Sequence, residues 1–132
     1  LAGVVVPVWV DEPRVFETIR DVFREDGYLV DTHTAVALAA CREGMAAGGG
    51  LGPDGPPVIV ASTASPFKFS GDVLAAIEGE RPDDEFRAIE RLGELAGVPV
   101  HRAVRGLREL PERHGGVVDI SAMKDFVMDV VS

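Results

Sequence analysis

Four residues in one short stretch could do chemistry together: Ser62, Thr63, Ser65 and Lys68, within Ser62-Thr63-Ala64-Ser65-Pro66-Phe67-Lys68-Phe69. Three hydroxyls can each donate or accept a hydrogen bond, and the small residues among them let a ligand approach the backbone. Their position makes the stretch more than a polar turn. It follows Pro56-Pro57-Val58-Ile59-Val60-Ala61, a β-branched run with no polar alternation, which reads as a strand buried on both faces. In open α/β sheets, ligands bind where loops leave the carboxyl ends of such strands. The plainer alternative is an ordinary strand-to-helix turn, with Ser70 as the next N-cap.

A second polar group, Asp31-Thr32-His33-Thr34, opens an apolar run. Asp31 or Thr32 is placed to cap a helix there. His33 falls in its first turn, where the helix dipole disfavours a protonated imidazole. A neutral His33 can donate to a ligand or serve a backbone carbonyl, and the second role is the structural one. Other chemistries find no support. Three scattered histidines and one cysteine offer no zinc spacing, and there is no G-x-S-x-G elbow. Asp83-Asp84-Glu85 reads as favourable charge at a helix start.

The elements that would position these groups follow from periodicity. Residues 4–10 form a β-branched run that Pro7 confines to a sheet edge or strand start. Asp11 precedes Glu12-Pro13 in N-cap position, and Val15, Phe16, Ile19, Val22 and Phe23 make one helical stripe ended by Gly27. Tyr28-Leu29-Val30 reads as a brief strand. The helix that follows runs to about Ala47, and small apolar residues make its first half buried all round. A Gly/Pro linker spans residues 48–57; it lacks the Lys-Ser/Thr ending of a P-loop and follows a helix, unlike a dinucleotide fingerprint. Beyond the hydroxyl stretch come a short helix over 72–78 and a longer one from Pro82 to about Ala96, closed by Gly97. Residues 98–104 read as extended, and residues 113–116 as a turn. Asp119 or Ser121 caps a last helix over 122–131, with Met123, Phe126, Val127 and Val130 facing inward.

Composition limits the partners. The 132 residues carry a formal charge of −9, and the basic residues (11 Arg, 2 Lys) are dispersed, so a nucleic-acid partner is not expected. Cys41 is the single cysteine, which excludes an intrachain disulfide and fits a reducing, cytoplasmic setting. No apolar run approaches the ~20 residues of a membrane helix. The opening Leu1-Ala2-Gly3 suggests an excised piece of a longer chain.

The hydroxyl stretch resembles the S-T-A-S-P-x-K-F segment of threonine synthases. Gly27-Tyr28-Leu29-Val30-Asp31-Thr32-His33-Thr34-Ala35-Val36-Ala37 resembles that family's G-Y-L-x-D-P-H-T-A-V-G. The two blocks occur in the family's order, and the resemblance runs from about Val10 to the end. It departs at Thr32, where the family has proline, and at Ala37, where it has glycine. The resemblance implies that residues 1–132 are the C-terminal portion of an α/β enzyme of the tryptophan-synthase-like, pyridoxal-phosphate-dependent fold, with short parallel strands covered by helices. It implies conversion of O-phospho-L-homoserine and water to L-threonine and phosphate. The Schiff-base lysine and the phosphate-gripping loop would lie in the preceding portion, so this chain would be inactive alone. It implies a hydroxyl contact to the cofactor's ring nitrogen, with Thr63 the first choice and Ser62 the second. Asp31, His33, Thr34 and Lys68 would help to build the site wall, and no metal is implied. Two alternatives remain open on the same residues: a non-catalytic threonine-synthase-like binding module, and a free-standing small α/β domain.

Overall fold

The computed structural model describes residues 7–46, 55–113 and 115–132. Four helices carry the core: α1 (Glu12–Asp26), α2 (Thr32–Ala46), α3 (Ser70–Glu78) and α4 (Glu85–Ala96). A fifth, α5 (Met123–Val130), lies beyond them in the chain. Helix α1 packs on α2 and α3, and α3 packs in turn on α4.

Local sequence explains the helix ends. The Asp11 side chain accepts from the Arg14 N–H, and Pro13 sits in the first turn, where a missing N–H costs nothing. Gly27 closes α1 at φ 65°, a left-handed conformation that glycine adopts without a Cβ penalty. Asp84 accepts from the N–H groups of Phe86 and Arg87 at the start of α4. This start lies three residues later than Pro82, because Asp84 holds the capping position.

The apolar stripes meet in one cluster. Val15, Ile19 and Val22 from α1 pack with Val30, Ala35, Phe67, Val73, Leu74, Ala88 and Leu92. Leu92 is 0% exposed, and burying a side chain of this size contributes roughly 1.5–3 kcal/mol. Polar groups tie the helices where the cluster ends. Arg20 Nε donates to the Ala76 carbonyl at 2.8 Å, joining α1 to α3. Arg91 Nε donates to Glu78 at 3.1 Å, joining α4 to α3.

The α/β expectation is overturned: among the described residues there is no strand and no sheet. Residues 56–61 have no regular secondary structure, and no backbone hydrogen bond pairs them among the described residues. Ile59 is 92% exposed. β-branched residues favour a strand only where a neighbouring strand accepts the pairing and another layer covers the side chains. Residues 28–30 are likewise a link without regular structure, with Val30 buried against the helices and Tyr28 exposed. Residues 98–104 form no strand: 98–101 have no regular structure and a turn begins at residue 102, with Val104 N–H donating to the His101 carbonyl at 3.0 Å.

Two further expectations change. Helix α2 is buried on one side only, through Thr34, Ala35 and Ala39, because α1 is its one helical neighbour in extensive contact. The inward face expected for α5 is exposed at Met123, Phe126, Val127 and Val130. The expected strand at 4–10, the linker at 48–57 and the turn at 113–116 each lie partly outside the described residues.

Candidate functional site

The hydroxyl stretch lies across the start of α2. Asp31, 0% exposed, accepts through Oδ1 from the His33 N–H at 2.9 Å and the Thr34 N–H at 3.2 Å. It is thus the N-cap of α2, and its negative charge sits at the favourable end of the helix dipole. Its Oδ2 takes a hydrogen bond from Thr34 Oγ1. On the far side of the Thr34 hydroxyl, 3.0 Å away, is Ser62 Oγ. Three residues named from the sequence are therefore joined in one chain, from a buried carboxylate to an exposed loop.

Thr63 is exposed and makes no hydrogen bond among the described residues. The backbone then turns. Ser65 Oγ accepts from the Phe67 N–H at 3.3 Å, capping a short 3-10 turn over Pro66–Phe69. Phe67 enters the core and its carbonyl accepts from the buried Ser70 hydroxyl at 2.8 Å. Ser70 is consequently the first residue of α3 rather than a cap; Ser65 caps the turn before it. The stretch is pinned at both ends, at Ser62 by α2 and at Phe67 by the core.

His33 and Lys68 stand apart from the hydroxyl pair. The exposed His33 ring has Nδ1 3.5 Å from Asp31 Oδ1 and its centroid 5.0 Å from that of Phe69. Lys68 Nζ lies 5.6 Å from the Phe69 centroid, a cation–π arrangement. An apolar groove of about 420 Å3 opens beside His33, Phe69, Phe16 and Val36. Periodicity pointed to Phe16 as core; it gave no signal that Phe16 and Phe69 would share a groove. A larger hollow, about 550 Å3, lies between residues 7–11 and Glu43 and shares no lining residue with the hydroxyl stretch. Its one cation, Arg14, is engaged by Glu17 at 2.6 Å and by Glu43 at 3.8 Å.

A family model described as threonine synthase, C-terminal, matches residues 34–127. The chain belongs to the threonine synthase C-terminal family. The match begins at Thr34, covers the whole hydroxyl stretch and ends inside α5. As its name says, a threonine synthase C-terminal domain implies an N-terminal part of the same enzyme. No helix among the described residues is long and apolar enough to cross a membrane.

The family context brings a pyridoxal phosphate cofactor, and the donor set here can be tested for it. Two neutral hydroxyls, at 62 and 63, suit a hydrogen bond to a heteroaromatic nitrogen. They are poorly suited to a phosphate, which calls for cations or a cradle of backbone N–H groups. Lys68 lies against Phe69, and Lys124 is exposed on α5. The hydroxyls of this family member therefore suit a ring-nitrogen edge of such a cofactor and not its phosphate.

Proposed function

We propose that residues 1–132 are the C-terminal portion of a threonine synthase that converts O-phospho-L-homoserine and water to L-threonine and phosphate. The observation that carries this reading is the family match across residues 34–127, which includes the pinned hydroxyl stretch. Pyridoxal phosphate, when bound, supplies the electron sink that stabilises carbanions. The work left to this chain is orientation. Thr63 holds the ring nitrogen through a neutral hydroxyl, with Ser62 beside it. A hydroxyl does not retain a pyridine proton as a carboxylate would, so the sink stays mild, which suits a reaction with several carbanions to be steered in order. Asp31 and Thr34 form the wall behind the loop, and His33 and Lys68 border it.

The N-terminal portion provides the Schiff-base lysine and the phosphate grip, and the chain alone is inactive. The enzyme is a lyase acting on a phosphorylated amino acid, working in the cytoplasm, where a reducing setting suits the lone thiol of Cys41.

The test is phosphate release from O-phospho-L-homoserine by the full-length protein supplied with pyridoxal phosphate, beside its Thr63→Val variant. Release by the parent that falls at least tenfold in the variant is the expected result, since a lost hydrogen bond to a reacting group is worth about 1.4 kcal/mol or more. A parent that binds cofactor but releases no phosphate would point to a non-catalytic binding module instead.

A further inference from the structure

Ser62 and Thr63 are neighbours in sequence, yet their hydroxyls are not equivalent, and the difference starts at Asp31. Thr34 has one hydroxyl proton and two oxygens in reach, Asp31 Oδ2 and Ser62 Oγ. A carboxylate offers only lone pairs, so the Thr34 proton must point at Asp31. The opposite arrangement would set a Thr34 lone pair against a carboxylate oxygen at contact distance, in a buried place where no water relieves it. With the Thr34 proton committed, the only bond that fits between Thr34 and Ser62 runs from Ser62 to Thr34. The single Ser62 proton is then turned inward, and its outward face carries lone pairs alone. The proton of Thr63 is uncommitted among the described residues.

We propose that Asp31 and Thr34 are positioning residues: they fix the Ser62 hydroxyl as an acceptor and leave Thr63 as the donor of the pair toward an unprotonated ring nitrogen. This rests on the proposed threonine synthase reading, and it turns a choice between two hydroxyls into a consequence of a buried carboxylate two hydrogen bonds away from Ser62. It also gives Asp31 two separable jobs. Oδ1 caps α2, and Oδ2 sets the direction of the hydrogen-bond chain.

The experiment uses the full-length protein and two readouts besides turnover: the dissociation constant for pyridoxal phosphate, and the NMR shift of cofactor labelled with 15N in the ring. Thr34→Val keeps the side-chain shape and removes the chain's middle oxygen. We expect it to free the Ser62 proton to compete with Thr63 for the ring nitrogen, which moves the ring-nitrogen shift and changes the affinity for the cofactor. Thr34→Ser should restore both. Asp31→Asn retains the cap acceptor but presents an amide donor to Thr34, which reverses the chain and moves the ring shift again. Where Thr34→Val lowers the melting temperature, Ser62→Ala is the second variant: it removes the competing hydroxyl, leaves Thr63 as the ring donor, and should keep the ring shift near the parent's, whereas Thr34→Val moves it. Thr63→Val alone should weaken cofactor binding roughly five- to tenfold, the worth of one hydrogen bond, and should cost less when added to Thr34→Val, because the freed Ser62 hydroxyl can donate in its place.

The proposal is overturned if Thr34→Val leaves the ring shift at the parent's value, or if Ser62→Ala moves it as far as Thr63→Val does. It is equally overturned if the Thr34→Val and Thr63→Val effects on affinity multiply. A parent that neither binds pyridoxal phosphate nor releases phosphate overturns the threonine synthase reading itself, a different result from a working parent indifferent to Thr34.

Discussion

Helices α4 and α5 carry the same kind of message and meet different fates. Each has an apolar stripe at helical spacing, and each follows an aspartate that accepts hydrogen bonds from the backbone, Asp84 before α4 and Asp119 just ahead of α5. On α4 the stripe is driven home: Leu92 is fully buried against the cluster shared by α1 and α3. On α5 the corresponding face stays open, with Phe126 51% exposed, and its one neighbour in extensive contact is the 3-10 turn before it. Periodicity and capping thus specify that a helix forms and where it begins. Burial is a separate fact, decided by whether another element presents a matching surface.

The largest expected effect comes from truncating the α4 stripe. Leu92→Ala should destabilise the protein by about 2–5 kcal/mol in chemical denaturation, the range for a core leucine that leaves a cavity. A loss below about 1 kcal/mol would mean that α4 is docked no better than α5. Next is the hydroxyl that ties the functional stretch to the core. Ser70→Ala removes the 2.8 Å bond to the Phe67 carbonyl and should cost about 1–3 kcal/mol, since a buried acceptor is left without its donor.

The two capping aspartates sharpen the contrast through pH. The Arg108 side chain, followed by the N–H groups of Phe86 and Arg87, holds the Asp84 carboxyl below its ordinary 3.8. For a carboxyl whose folded value is depressed, the stabilisation is complete above the ordinary value and is lost as pH falls through the folded one. The acid limb of the melting curve should therefore flatten in Asp84→Asn. The backbone N–H of Ser121, with its hydroxyl, likewise lowers Asp119. Asp119→Asn should nevertheless leave the global acid limb unchanged, because the turn it caps touches little of the core. Smallest of all is Phe126→Ala, expected within about 0.5 kcal/mol of the parent by denaturation of this chain, as for an exposed substitution. A larger loss would show that α5 is covered.

What could be read from the residues follows the same division. Asp11, Gly27 and Gly97 mark their helix ends in sequence because capping is a contact between near neighbours, whereas three acidic residues in a row at 83–85 did not say which of them caps α4. The stripe Val15, Ile19, Val22 was legible for the same reason, and so was the placing of His33 in a first helical turn. The Val58-Ile59-Val60 run misled because strand pairing is made with residues far away, and the same apolar string is compatible with an unpaired link. At the candidate site, Asp31, Thr34, Ser62 and Thr63 were named through the resemblance of their two sequence blocks to threonine synthases. That Thr34 would meet Ser62 could not be read there, since the two are 28 positions apart and their meeting depends on how the intervening chain returns.

Pinning the hydroxyl stretch at Ser62 and again at Phe67 has a consequence for ligand affinity. Few residues between the pins retain backbone freedom, and fixing one residue otherwise costs about 1–2 kcal/mol. That ordering is completed when the helices assemble, before any ligand arrives. A partner meeting Thr63 would encounter a hydroxyl on a stiff arch instead of one it must first immobilise, so more of the contact energy would appear as binding.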